Sequence, residues 1–221
     1  MIKLSKRLVQ VADFVNDGAK IVDIGCDHGL TDIYILQTKK DVSIIASDIN
    51  EKALSNAITN IKKYKLENKI STIVSDGLSE IDTNNIDTII ISGMGAHTIV
   101  GILQMGKSKL ANIDSIIIQS NNDLDFLREK VTKLGYYIED EALVKEKKFI
   151  YTVIKFKKGT KHYNKKQLYF GPILLEKNDT IFKEKNKIDL EKLKLLYKLI
   201  PKSHYKLKLK TYLKIKLYNK I

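Results

Sequence analysis

Five short runs rich in isoleucine and valine recur through the first 120 residues, and each gives way to an acid, a glycine or an amide. They are Lys20-Ile21-Val22-Asp23, Val42–Asp48, Ile70–Val74, Ile86–Ser92 and Ser115–Gln119. Between them the apolar positions switch to helical spacing. Leu30, Ile33, Tyr34 and Leu36 mark a helix over Leu30–Gln37. Asn50 is a good N-cap for one carrying Ala53, Leu54, Ala57, Ile58 and Ile61. Further helices are predicted over His97–Met105 and Asp123–Leu134, the latter with Gly135 as C-cap. Near-continuous apolar strands alternating with helices predict an α/β fold with a doubly wound parallel sheet covered on both faces. Tyr136–Val144 and Phe149–Phe156 predict a closing antiparallel pair joined by Lys145–Lys148. At the start, Leu4, Leu8, Val11, Ala12 and Val15 share one helical face, which reads as an amphipathic helix and not a signal peptide.

In such a sheet, ligands bind beyond the carboxyl ends of the strands, where the strand order switches. The polar and glycine signals all fall at such ends: Asp23 and Gly25, Asp48, Asp76 and Gly77, Ser92 and Gly93, Gln119 and Asn121. Gly25 allows a tight turn after the first strand, and Gly29 allows close strand–helix packing. Asp48 lies 23 residues beyond Gly25, where a carboxylate can accept hydrogen bonds from two ribose hydroxyls. Asp76 can accept from an adenine amino group, with Gly77 admitting the ring. Taken singly, each has an ordinary reading, a capping acid for Asp48 and a plain Asp-Gly turn for Asp76. Together they describe an adenosine site, shared by NAD and S-adenosylmethionine. A dinucleotide turn needs a glycine where this chain has Asp27. A carboxylate there repels a pyrophosphate and attracts the sulfonium and ammonium of S-adenosylmethionine. No Gly-Lys-Ser/Thr phosphate loop is present, and S-adenosylmethionine is the expected cofactor.

Charge divides the chain in two. Of 39 basic residues only Arg7 and Arg128 are arginine, so lysine richness alone is a compositional habit. Its distribution is not: residues 1–158 hold 22 basic and 21 acidic side chains, residues 159–221 hold 17 and 5. A basic appendage on a neutral domain is the electrostatic footprint of a nucleic-acid binder. Its apolar residues recur at helical spacing from Ile188 to Ile200. After Pro201, Leu209, Leu213, Leu217 and Ile221 form an i, i+4 stripe between lysines. Two helices joined at Pro201 read as a hairpin, although Lys206–Lys210 also alternates with the period of a strand. The expected domains are 1–158, cofactor-binding and catalytic, and 159–221, helical and RNA-binding. No stretch of eighteen apolar residues marks a membrane span. The single Cys26 rules out an internal disulfide and a cysteine-only metal cage, which fits a reduced cytoplasm. No metal is expected, and a monomer is.

Several of these segments resemble one family. Val22-Asp23-Ile24-Gly25-Cys26-Asp27-His28-Gly29, Leu4-Ser5-Lys6-Arg7-Leu8, Ser92-Gly93-Met94-Gly95, Gln119-Ser120-Asn121 and Phe170-Gly171-Pro172 are similar to the bacterial tRNA (adenine-N1)-methyltransferases acting at tRNA position 22. The resemblance covers most of the chain. It implies a class I, Rossmann-like methyltransferase with a C-terminal helical hairpin, coiled-coil-like in character, acting on tRNA. It further implies that Gly25, Asp27 and His28 lie against the cofactor, with Asp48, Asp76 and Gly77 around its adenosine. Ser92, Gly93 and Met94 would form the floor under the target base. The chain departs from the family pattern at Ser120, where the family has proline, and at Ala96, where it has a second glycine.

Methyl transfer to a ring nitrogen needs alignment more than acid–base chemistry, an effect that can reach about 7–11 kcal/mol. Asp27 is the candidate to stabilise the cationic product, and His28 to hydrogen-bond the base or accept a proton. Each also has a plain structural reading, as does His97, expected to cap or pack its helix. Cys26 is expected to be a small residue beneath the turn. Two further readings stay open from the residues alone: a methyltransferase for another RNA position or a small molecule, and a non-catalytic RNA-binding protein with a vestigial pocket.

Overall fold

A computed structural model describes residues 2–219. Seven strands form one sheet: β1 (Lys20–Ile24), β2 (Ser43–Asp48), β3 (Ile70–Val74), β4 (Thr88–Met94), β5 (Ser115–Ser120), β6 (Tyr136–Glu146) and β7 (Phe149–Lys158). Their spatial order is β3-β2-β1-β4-β5-β7-β6, with β1 to β5 parallel and β7 antiparallel to both its neighbours. The order switches between β1 and β4, as a doubly wound sheet requires. Within each apolar run, alternate side chains enter opposite layers. Val22, Ile89, Ile91, Ile116 and Ile118 pack into one core, while Ile21, Ile90 and Ile117 pack into the other. The first layer is covered by α4 (Ala96–Met105) and α5 (Leu124–Thr132). The second is covered by α1 (Lys6–Asp13), α2 (Leu30–Thr38) and α3 (Glu51–Lys63).

Three local details differ from expectation. β4 begins at Thr88 and runs past the expected end at Ser92 through Gly93 and Met94, with a bulge in its pairing to β5 between Ser92 and Met94. The β6–β7 turn is two residues, Lys147 and Lys148, because Glu146 already pairs with Phe149. α5 ends at Thr132 with Lys133 as C-cap; Gly135 lies two residues beyond, with φ +92° and its N–H donating to the Thr132 carbonyl at 3.2 Å.

After β7 come two short helices, α6 (Lys165–Phe170) and α7 (Pro172–Lys177), that the apolar pattern does not announce. The hairpin of α8 (Thr180–Leu199) and α9 (Tyr205–Tyr218) follows. α8 starts eight residues before Ile188, capped by Asp179, whose carboxylate accepts from the Phe182 N–H at 2.8 Å. Lys206–Lys210 is helical, so the strand reading is set aside. The leucine stripe of α9 is not its seam: Leu209 and Leu213 face solvent, and Thr211 and Tyr218 are the buried positions. Ile221 lies outside the described residues. A third core of Phe170, Leu174, Phe182 and Tyr218, backed by Leu143 of β6, roots the hairpin on the sheet. Arg128 of α5 and Glu141 of β6 are 1% and 0% exposed and pair at 2.7 Å. Arg128 also donates to the Leu168 and Tyr169 carbonyls, and Glu141 accepts from the Ile173 N–H. Gly171 (φ +94°) sits where any Cβ would strike the Glu141 carboxylate, and Pro172 opens α7. Phe170-Gly171-Pro172 is therefore a joint, with one residue for the aromatic core, one for clearance and one for the next helix.

Candidate functional site

At the carboxyl ends of β1 to β4 lies a cleft of about 680 Å³, within the range of small-ligand sites. The turn after β1 shapes it. The Gly25 and Cys26 N–H groups donate to the Ser47 carbonyl at 2.8 and 3.0 Å, and the Gly29 N–H to the Cys26 carbonyl at 2.9 Å. Gly25 has φ +78°, and a Cβ there would collide with the Met94 methyl across the cleft. Gly29 starts α2 and permits a close approach to Ala57 of α3, so it spaces two helices and not a strand and a helix.

Asp23, Gly25, Asp27, His28, Asp48, Asp76, Gly77, Ser92, Gly93 and Met94 all line this cleft. The Asp48 carboxylate accepts from the Asp27 N–H at 3.2 Å and the Asn50 N–H at 2.9 Å. A carboxylate has about four lone-pair sites, so two remain for a ligand. Asp27 holds φ +51°, a left-handed conformation that glycine adopts more easily. Its side chain and that of His28 are exposed at the mouth, with Nε2 and Oδ2 3.6 Å apart. Gly77 (φ +58°) stands close to Ile102, so the clearance it provides is partly used by α4.

Beneath the turn, Asp23 and the completely buried Asp32 of α2 face each other. As a carboxylate, Asp32 would leave two buried oxygens without a donor. Burial, then the charge of Asp23, raises its pKa well above 3.8. Asp23 is itself pushed up to about 7, chiefly by burial and further by the charge of Asp48, with the Asp32 hydrogen bond acting the other way. Burial and the same three acids raise the Cys26 thiol, which keeps it protonated and unreactive.

Two expected substrate contacts lie elsewhere. Gln119 is fully buried behind β4: its Oε1 accepts from Arg7 and from the Gly93 N–H at 3.1 Å, and its Nε2 donates to Asn121. Its amide is spent tying β5, β4 and α1 together. Asn121 donates to the Gly93 carbonyl at 2.7 Å and lines a different cavity. Arg7 does line the cleft, with its guanidinium 5.3 Å from the Tyr151 ring centroid. Sequence reasoning assigned it no site role, although one of two arginines among so many lysines was a signal. His97 packs and does not cap, stacking on Phe126 at 4.2 Å.

The family model described as tRNA (adenine(22)-N(1))-methyltransferase, TrmK, matches residues 21–221. The chain belongs to this family. The Bacillus subtilis (strain 168) tRNA (adenine(22)-N(1))-methyltransferase is 32% identical over 205 residues, covering 90% of this chain and 86% of the relative. An M. capricolum TrmK structure in complex with S-adenosyl-homocysteine superposes with TM-score 0.84 at 30% identity, over 98% of this chain and 96% of that one. Streptococcus pneumoniae Sp1610 in complex with S-adenosyl-L-methionine gives TM-score 0.90 at 29% identity, over 99% of each chain.

Both departures from the expected family pattern meet Asn122. The Ser120 hydroxyl donates to the Asn122 carbonyl at 3.1 Å, restraining the loop where proline would stiffen it. Ala96 is buried, and its N–H donates to the Asn122 side chain at 2.9 Å. Among the described residues, no cluster of His, Cys, Asp and Glu has the make-up of a metal site, and no helix is long and apolar enough to cross a membrane.

Proposed function

We propose that this chain methylates N1 of adenine in tRNA, at position 22, with S-adenosylmethionine as donor. The observation that carries it is the convergence of Asp23, Asp27, Asp48 and Asp76 with the Gly25 turn on one cleft at the β1/β4 switch, in a member of this family. The residues fit a cationic adenosyl cofactor. Asp48 has free lone pairs for the ribose hydroxyls, Asp76 and Gly77 receive the adenine edge, and Asp23 and Asp27 supply negative charge. When bound, the cofactor supplies an electrophilic methyl group on a sulfonium.

The chain's own residues supply alignment and charge. Adenine N1 has a free lone pair, so no base is needed to begin the reaction. The methylated ring is cationic, and the Asp27 carboxylate at the mouth stabilises that charge as it develops. His28, next to Asp27, hydrogen-bonds the base edge. Ser92, Gly93 and Met94 form the floor, held in place by Gln119, Asn121 and Arg7 from behind. The lysine-rich segment of residues 159–221, with its α8–α9 hairpin, binds the tRNA through its phosphates. A cytoplasmic monomer completes the proposal, in keeping with the free, protonated Cys26.

The test is transfer of labelled methyl to unmodified tRNA transcripts carrying adenine or guanine at position 22. Label on the adenine transcript alone is expected. Label on both would remove the position, and label on neither would remove the function.

A further inference from the structure

Between β5, β7 and the hairpin lies a second cavity of about 370 Å³, a volume in the range that encloses small ligands. Four aromatic rings, Tyr151, Tyr169, Phe170 and Tyr218, stand in its walls among polar and charged side chains. Thr152 of β7 also lines it. That residue is 2% exposed and its hydroxyl has no hydrogen-bond partner. Thr152 pairs with Leu143 across the sheet, and Leu143 packs into the hairpin's core, so both side chains leave the sheet on the hairpin side. A buried hydroxyl without a partner is costly, and native chains rarely keep one for nothing.

Every cation lining the cavity already has an acidic partner, and Asp123 on its wall lies 4.0 Å from His97. Lys185 pairs with Asp189, Lys214 with Asp125 at 3.8 Å, and Arg128 with Glu141. The walls therefore suit a neutral, flat ligand with a hydrogen-bonding edge, and not a phosphate. Two thin partitions separate this cavity from the cofactor cleft. Asn121 lines the cavity and donates to Gly93, which lines the cleft. Tyr151 lines the cavity, and Arg7 above its ring lines the cleft.

We infer that the cavity is a second nucleobase pocket, which takes a base of the tRNA near the target adenine once that strand is opened. This rests on the tRNA-methylation reading. Reaching N1 requires the target to leave its stack. A pocket for a neighbouring base stabilises the opened strand, with aromatic stacking and a hydrogen bond to Thr152.

Thr152→Val keeps the shape and removes the hydroxyl. With full-length protein, we expect the KM for tRNA to rise about tenfold, with S-adenosylmethionine affinity unchanged and Tm not lowered. Asn186→Phe, at a half-buried α8 position on the cavity wall, fills the space from the helical side and should raise the same KM. Ultraviolet crosslinking to unmodified tRNA, read by peptide mass spectrometry, should place adducts on Tyr151 or Tyr169. This readout does not depend on methyl transfer, so it separates failure of the pocket from failure of the function. Wild-type KM in both variants with no adduct in the cavity would overturn the inference. So would displacement of the adducts by micromolar free nucleoside, which would make the occupant a soluble ligand.

Discussion

Asp23 lines the cleft from a strand buried on both faces, so a cation bound beside it would be coupled to its protonation. Its pKa is raised from 3.8 to about 7. Between about pH 4 and 7 the folded chain therefore holds a proton that the unfolded chain has lost. Stability of the free protein falls as pH rises through that window and levels off above it. A cationic cofactor favours the ionised form, so binding below pH 7 expels the proton. The affinity for S-adenosylmethionine should climb by up to about tenfold per pH unit on approaching pH 7 and flatten above it. Calorimetry in buffers of different ionisation enthalpy would detect the released proton, and Asp23→Asn should abolish both slope and proton. Asp27 makes a second case. Its left-handed backbone suits glycine, so keeping an aspartate there points to use of the carboxylate. Asp27→Gly should preserve the turn and the cofactor affinity within a few-fold while slowing transfer about ten- to a hundredfold. Single-turnover rates with saturating tRNA would check this, and an unchanged rate would leave Asp27 a structural residue. The placing of these acids at the cleft was legible because each sits at or just after the end of an apolar run. Asp32, Arg7 and Thr152 were not. Asp32 looks like an ordinary first-turn helix acid, and Arg7 meets Ser92 and Gln119 across separations of 85 and 112 residues. Thr152 matters only through a hydroxyl left unpaired in the fold.

At the scale of elements, the parallel strands were readable because isoleucine and valine fill both faces of β1, β4 and β5. The joint between sheet and hairpin was not, since α6 and α7 span six residues each and carry too few turns for a period to show. Their attachment depends on the Arg128–Glu141 pair, which satisfies four groups at once: two carbonyls of α6, one N–H of α7 and the opposite charge. Removing one member strands a buried charge. Arg128→Met should cost about 3–5 kcal/mol, seen as a lower Tm and denaturant midpoint. The double variant Arg128→Met/Glu141→Leu should recover part of the loss, because an apolar pair needs no counter-charge, although the carbonyls stay unpaired. If the double variant is no more stable than the single one, the pair matters through its backbone hydrogen bonds and not through charge.

Across the whole molecule, charge separates a neutral sheet domain from a basic hairpin, yet the two share a core. Leu143 of β6 packs with Phe170 and Phe182, so deleting residues 159–221 would expose the sheet as well as remove lysines. Charge removal on the intact chain is the cleaner test. Lys192, Lys194, Lys198, Lys206 and Lys210 are exposed along α8 and α9. Tyrosines lie among the hairpin lysines, with Lys208 5.0 Å from the Tyr197 ring centroid and Lys216 4.8 Å from that of Tyr212. Each lysine that neutralises a phosphate adds about 0.7–0.9 to the slope of log affinity against log salt. Replacing Lys192, Lys198, Lys206 and Lys210 by alanine should therefore weaken tRNA binding most at low salt and make that slope shallower, while S-adenosylmethionine affinity stays the same. The slope is the decisive quantity. A variant that merely misfolded would lose affinity at every salt concentration and lower its Tm, whereas lost phosphate contacts make the wild-type and variant curves converge as salt rises. Coincident curves would mean that these lysines only solvate the hairpin, and that the tRNA is gripped elsewhere.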